Sequence, residues 1–394
     1  MKENDSILDD IMSEFSADAP VAEDTPRELP RSLQADVKEE KPKASTKSGA
    51  KKLLSVFGKI ALILLETVLL LVLTAYGVMY VLAKGPSLTA RDLFVRSVRE
   101  TSAIGFLANI YFSDEEIAEI ESAGEIEEYA ETDTSLITIT KPEENVGPVA
   151  DEWGLIDEDG DGIILDKVTG EGFVGYMMVV LDPSRVILGS VPSLYQIRGF
   201  TVEEMVKQYD AVAGINAGGF YDPDGTGNGS IPDTLVVYEG QVYYERYGVG
   251  DGFVGIDNNH ILHVGKLNKK EIQERHIQYG VCFGPVLISN GEVALAENNV
   301  GGLNPRTAIG QRSDGAILML VIDGRQVMSI GATYRDLVDV FLEYGAVNAC
   351  NLDGGSSSMM WYGDKYINNS ASVIGIRPVP TTFVVLKEGV DDHA

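Results

Sequence analysis

The sequence predicts an α+β fold: a mixed, barrel-like β-sheet with flanking helices, preceded by a single transmembrane helix. Three observations predict it. Short strand signals recur through the C-terminal half, two capping boxes start helices among them, and Ile60 to Ala83 is apolar apart from Glu66, Thr67 and Thr74. The 42 glycines call for many tight turns, which suits a strand-rich body.

Residues 1–52 are polar and charged without apolar periodicity, and read as a disordered cytoplasmic tail. Residues 53–84 follow as the transmembrane helix, long enough to cross a bilayer core. A cleaved signal peptide fits less well, because the apolar core is long and lies far from the N-terminus. Lys41, Lys43, Lys47, Lys51, Lys52 and Lys59 precede it, against Lys84, Arg91, Arg96 and Arg99 beyond. That bias places the N-terminus in the cytoplasm and the bulk of the chain outside.

Residues 85–150 read as a helical stalk and an acidic linker. Leu93, Phe94, Val98, Ile104 and Leu107 have helical spacing, and Ser113 with Glu116 caps a short helix ending near Ser122. The compact domain spans 151–388. Its strand signals are Gly175–Leu181, Val186–Leu188, Leu235–Tyr238, Val242–Glu245, His260–Val264, Gly284–Ile288, Ala316–Ile322 and Thr381–Val385. One helix starts at the Thr201–Glu204 box and ends near Tyr209; another runs from Thr333 to Tyr344, closed by Gly345. Each leads into a short apolar run and a glycine pair, Gly218–Gly219 or Gly354–Gly355. The two units form a pseudo-repeat whose strand ends would converge on one cleft.

The formal charge of -29 argues against nucleic acid as a partner. An anionic ligand would need a few local arginines. Cys282 and Cys350 lie outside the membrane in this topology, where either a bridge or two buried thiols is allowed. No spacing suggests zinc, and no Gly-x-Ser-x-Gly elbow makes the serines after Gly355 nucleophiles.

Chemistry concentrates in four places. Asp353 stands at a strand end before Gly354 and Gly355, where backbone can approach a ligand closely; an ordinary turn has the same residues. The run from Asn216 through Gly218, Gly219 and Phe220 opens a glycine-rich loop reaching Ser230, fit to wrap a sugar or phosphate but without a P-loop ending. Arg306 stands in an otherwise uncharged run from Asn298 to Gly310, which suits a carboxylate partner or bidentate phosphate binding. Asp323-Gly324 is a favoured hairpin-turn pair beside Arg325. Asp157 to Gly162 carries part of a calcium-loop pattern, but Val168 occupies the place of its bidentate Glu, so an acidic hairpin is the preferred reading.

Together, Asn216–Phe220, Phe283–Pro285, Pro305–Gly310, Asp323–Arg325 and Asn351–Ser356 resemble the phosphodiester glycosidase family, in its order. The likeness covers about residues 170–387, including the closing strand from Arg377 to Thr382. Ser356 departs from the family, which often has a third glycine there. The resemblance implies hydrolysis of a sugar-1-phosphodiester and, with the membrane anchor, an envelope polysaccharide or other phosphate-linked glycan as substrate; no cofactor and no metal ligand is assigned from the sequence. It implies Asp353, Asp323 and Arg306 as catalytic residues. Substrate binding would fall to Asn216, Gly218, Gly219, Phe220, Arg325, Asn351, Gly354, Gly355, Ser356 and Arg377. The alternative is a non-catalytic, membrane-anchored glycan-binding or envelope-assembly module.

Overall fold

The computed structural model describes residues 46–101, 104–123, 128–140, 150–194, 198–222, 227–246, 252–296, 299–372 and 375–389. The expected tail up to residue 45, part of the linker and the tip of the glycine-rich loop at 223–226 lie outside them.

Among the described residues, seven α-helices order the chain: α1 (Thr46–Lys84), α2 (Leu88–Arg99), α3 (Phe106–Asn109), α4 (Asp114–Ser122), α5 (Val202–Gln208), α6 (Lys269–Glu274) and α7 (Tyr334–Glu343). The capping boxes at Ser113, Thr201 and Thr333 form as read, each side chain satisfying an otherwise orphaned N–H. Within α1, Ser55–Lys84 is long and apolar enough to cross a membrane, and its apolar side chains are exposed except near its end, where Ala83 is buried and Met79 partly so.

The strands of the described residues form three open sheets. The first runs β1 (Ile163–Gly170), β2 (Phe173–Val180), β13 (Ile317–Ile322), β12 (Arg306–Arg312), β14 (Ala346–Leu352), β10 (Val286–Ser289) and β11 (Glu292–Val293). The second runs β16 (Lys365–Tyr366), β15 (Met360–Tyr362), β4 (Ala211–Asn216), β17 (Thr381–Leu386) and β3 (Val186–Ser190). The third runs β6 (Gln241–Tyr244), β5 (Val236–Tyr238), β9 (Ile277–Cys282), β7 (Phe253–Asp257) and β8 (Leu262–Gly265). The α+β class is correct, but the barrel-like sheet is not, since no sheet closes among the described residues. The two helix–strand–glycine units feed different sheets, β4 the second and β14 the first, so the strands stack as faces rather than join as a ring.

Alternation along each strand explains the stacking. Met178, Met319 and Val321 face Ile215 and Phe383 of the second sheet and Val254 and Val281 of the third. Met177, Leu318 and Leu320 face the other way, against Leu337, Val338 and Phe341 of α7. Both faces of the first sheet are therefore covered, and all six residues of β13 are buried. Phe341→Ala should lower unfolding free energy by about 3–5 kcal/mol through lost burial and a cavity, read as a shifted urea midpoint at unchanged slope.

Several boundaries differ from the sequence reading. The helix containing the apolar run begins at Thr46 rather than residue 53. β1 has no clear sequence signal, because Asp166 and Lys167 interrupt its apolar run; its pairing with β2 from Ile163↔Val180 to Gly170↔Phe173 holds it. Part of the expected linker docks on the domain: Thr138 donates its N–H to the Ser313 carbonyl at 2.7 Å, and Asp133 to Asn290 at 2.8 Å. Cys282 and Cys350 are buried free thiols, not a bridge.

Candidate functional site

Antiparallel pairing brings the motifs to one edge. β12 starts at Arg306, opposite Ile322 at the end of β13, while Thr307 pairs with Leu352 at the end of β14. Arg306, Asp323 and Asp353 therefore share an edge of the first sheet. In the second sheet, Asn216 at the end of β4 pairs with Thr382 at the start of β17. The two sheets are joined there: Asp353 donates its N–H to the Ala217 carbonyl at 3.0 Å. The pseudo-repeat's two strand ends thus meet directly.

Asn216 is the rivet of this junction. It is fully buried. Its Nδ2 donates to the Asp353 carbonyl at 2.6 Å, while Oδ1 accepts from Thr307 Oγ1 at 2.8 Å and the Met359 N–H at 3.1 Å. An amide committed this fully holds the Asp353 loop in place.

That loop crosses from β14 to β15. Gly355 has φ +64 and donates its N–H to the Pro305 carbonyl at 2.9 Å. A Cβ on Gly354 would sit 2.8 Å from the same oxygen, so the glycine pair permits the close approach to the start of β12. Burial pushes the Asp353 carboxyl up to about 7, against the opposing pull of Ser357 and Arg377. A carboxyl with that value is divided between acid and base near neutrality.

The arginines differ sharply. Arg377 forms a bidentate pair with Asp222 at 2.7 and 2.8 Å, reaches Ser356 Oγ at 3.3 Å and stacks 5.0 Å from the Phe220 ring centre. Burial would raise the Asp222 carboxyl, but the bonds from Arg377 and the Gly227 N–H hold it below its ordinary value. Arg306 is enclosed: it donates to Glu100 at 2.7 Å, to the Gly302 carbonyl at 2.5 Å and to the Ala332 carbonyl at 3.1 Å, over the Tyr334 ring. Arg325 is exposed and donates to Thr101 Oγ1 at 2.7 Å and Asn304 Oδ1 at 3.0 Å. Its guanidinium lies against Gly355, where a Cβ would stand 3.4 Å from it. Among the described residues no carboxylate pairs with Arg325.

Asp323 is buried, with both oxygens taken by Asn368 and Asn369 at 2.9 to 3.2 Å, so it pins the loop after β16. Gly218 donates its N–H to Thr381 Oγ1 at 3.1 Å, and the Gly219 carbonyl accepts from Asp233 at 3.0 Å. Asn351 braces the Gly284 carbonyl at 2.8 Å, with its buried Oδ1 unpartnered. Elsewhere, the Asp157, Asp159 and Asp161 carboxylates lie within 4.8 Å of one another, in a turn closed by the Gly160 and Gly162 N–H groups.

Sequence reasoning missed Asp222, Thr307, Glu100 and Thr101. Asp222 lay within the glycine-rich loop already singled out, so its charge was a usable signal. Glu100 and Thr101 had none, since they sit in the stalk about 200 residues before their partners.

Residues 209–386 match the family model for phosphodiester glycosidase. The SPbeta prophage-derived uncharacterized protein YomE of Bacillus subtilis is 32% identical over 199 residues, which are 47% of this chain and 29% of that protein. N-acetylglucosamine-1-phosphodiester alpha-N-acetylglucosaminidase of Bos taurus is 26% identical over 179 residues, 41% of this chain and 33% of that enzyme. The chain thus spans a third or less of the curated relatives it matches. The solved catalytic domain of the zebrafish N-acetylglucosamine-1-phosphodiester alpha-N-acetylglucosaminidase, auto-inhibited by pro-peptide, superposes with a TM-score of 0.50 at 18% identity. It covers 64% of this chain and 87% of the solved one, a likeness of fold.

Proposed function

Because residues 209–386 carry a phosphodiester glycosidase domain, we propose that the protein hydrolyses a sugar-1-phosphodiester, with Asp353 as the working carboxylate. The observation that carries this reading is the Asp353 carboxyl, raised to about 7 within one loop of Arg325 and Arg377. Bond breaking at an anomeric carbon builds oxocarbenium character, which an adjacent carboxylate stabilises or captures. The departing group is a phosphate monoester, a far better leaving group than an alcohol. Arginine charge therefore replaces much of the general-acid work. Arg325 suits that role, being exposed beside Gly355 and lacking a carboxylate partner among the described residues. Arg306 is enclosed by Glu100 and supports the loop from below. Asn216 and Asp323 position the backbone that surrounds the reacting atoms.

Ser55–Lys84 would anchor the enzyme in a membrane, with the lysine-rich N-terminal side in the cytoplasm and the domain outside. An envelope glycopolymer is the substrate class within reach of such an anchor. Incubation of the full chain with an activated sugar-1-phosphodiester should release free sugar and a phosphate monoester in equal amounts. Intact glycan binding without release over a panel of sugars would favour the binding module instead.

A further inference from the structure

The stalk holds a surface that the proposed reaction does not use. Tyr111 packs its ring 5.7 Å from that of Tyr76, and its hydroxyl reaches the Tyr76 carbonyl at 3.4 Å. Tyr76 lies eight residues before the end of α1, a rise of about 12 Å along the helix axis. At that end Lys84 pairs with Glu116 at 3.4 Å and stacks 4.2 Å over Phe112. The contacts therefore grade from charged at Lys84 to aromatic at Tyr76, down the apolar helix. The segment around Tyr111 descends beside α1 below the level of its terminal lysine.

The side chains flanking that descent point outward. Phe106, the first residue of α3, is 62% exposed, and Ile110, just past its end, is 54% exposed. A water-exposed phenylalanine forgoes roughly 1.5–3 kcal/mol of burial. A second apolar projection is tied to the stalk by one hydrogen bond. Arg325, bonded to Thr101 just ahead of α3, opens a tight turn in which Gln326 and Ser329 exchange backbone hydrogen bonds at 2.9 and 3.2 Å. Its tip is Val327 and Met328, 99% and 82% exposed. Turn tips ordinarily carry Gly, Asn, Asp, Ser or Pro. Two large apolar residues there contradict local turn chemistry, the kind of conflict that marks a functional position.

We propose that Phe106, Ile110 and the Val327–Met328 tip form a second contact with the bilayer, seated in its outer interfacial layer, which holds the candidate site against the membrane surface. The occupant is the bilayer that receives α1, because Ile110 adjoins Tyr111, whose ring packs on Tyr76 of that helix. Apolar and aromatic side chains at the headgroup level are what this layer accepts. The acidic body disfavours anionic lipid, so the contact is apolar and works on zwitterionic membranes. The inference rests on the membrane-anchor reading, not on the catalytic one. It directs the Arg325 guanidinium, two residues from Val327, toward phosphodiesters carried on a lipid.

The test uses the full chain reconstituted in phosphatidylcholine vesicles. Cys282 and Cys350 are buried, so an environment-sensitive thiol fluorophore can be placed selectively in Phe106→Cys, Met328→Cys and, as control, Lys270→Cys. Lys270 has an 81% exposed side chain on α6. The labels at 106 and 328 should emit at shorter wavelength, with several-fold stronger quenching by lipids spin-labelled high on the acyl chain than the label at 270. Equal quenching at all three positions, in chain that floats with the vesicles, overturns the contact and leaves the anchor standing. Chain that does not float overturns both. A blue shift that grows with protein density and is indifferent to the lipid quencher assigns the patch to a second copy, and also overturns the proposal. Sugar release is measured separately, so its failure would not be confused with any of these.

Discussion

Asp353→Asn should lower kcat on a sugar-1-phosphodiester by about 10²–10⁴-fold, the range for losing a positioned acid–base group, and leave the fold intact. The loop is held by backbone: the Asp353 N–H on Ala217 and the Asp353 carbonyl under Asn216 survive the change. The wild-type pH profile gives the sign. In the proposed reaction the working form is the carboxylate, so kcat/KM should rise with pH and level off above about 7, where burial has placed the carboxyl. A profile that falls through this range would make Asp353 a proton donor instead. Stability runs the other way. A carboxyl whose folded pKa lies above its unfolded value of about 3.9 supports the fold at low pH, and that support is lost as pH rises from about 4 through 7. Above pH 7 the Asn variant should therefore be more stable than wild type, by up to about 4 kcal/mol. Loss of activity together with gain of stability is a result no purely structural role for Asp353 would give.

Arg325→Ala should lower kcat by about 10²–10³-fold, the cost of removing one preorganised electrostatic group, with little change in melting temperature. The side chain is exposed, and the buried Asn304 Oδ1 keeps the Thr101 hydroxyl as a donor at 3.4 Å when it is removed. Arg306→Ala should behave differently. It leaves Glu100 without its cation and the Gly302 and Ala332 carbonyls without their donor, so its main effect is lost stability, about 3–5 kcal/mol for a broken buried pair. Thermal denaturation alongside kcat separates the two arginines. If Arg306→Ala melts normally and Arg325→Ala keeps full activity, the phosphate-facing role returns to Arg306.

Arg306 shows where sequence reading stops. Its isolation in an uncharged run correctly marked it as needing a partner, and both a carboxylate and a phosphate met that need. The partner in the structure is Glu100, 206 residues earlier. Arg377 finds Asp222 at a separation of 155 residues, and Asp323 finds Asn368 and Asn369. No spacing rule connects such pairs. They depend on which strand ends the sheets bring to one edge.

The sequence by itself determined what is local or ordered along the chain: the capping boxes at Ser113, Thr201 and Thr333, the apolar helix, the α+β class, and the motif order that marks the phosphodiester glycosidase family. Those features follow from hydrogen bonds and periodicities a few residues long. Only the tertiary structure decided that the sheets stay open and that the Asn216 amide is spent on the Asp353 loop. It also decided that Arg306 faces Glu100 and that Arg325 carries no carboxylate partner among the described residues. The reason is physical: a side chain's charge and hydrogen-bonding capacity are fixed by its type, but what remains for a substrate is whatever its folded neighbours leave unsatisfied.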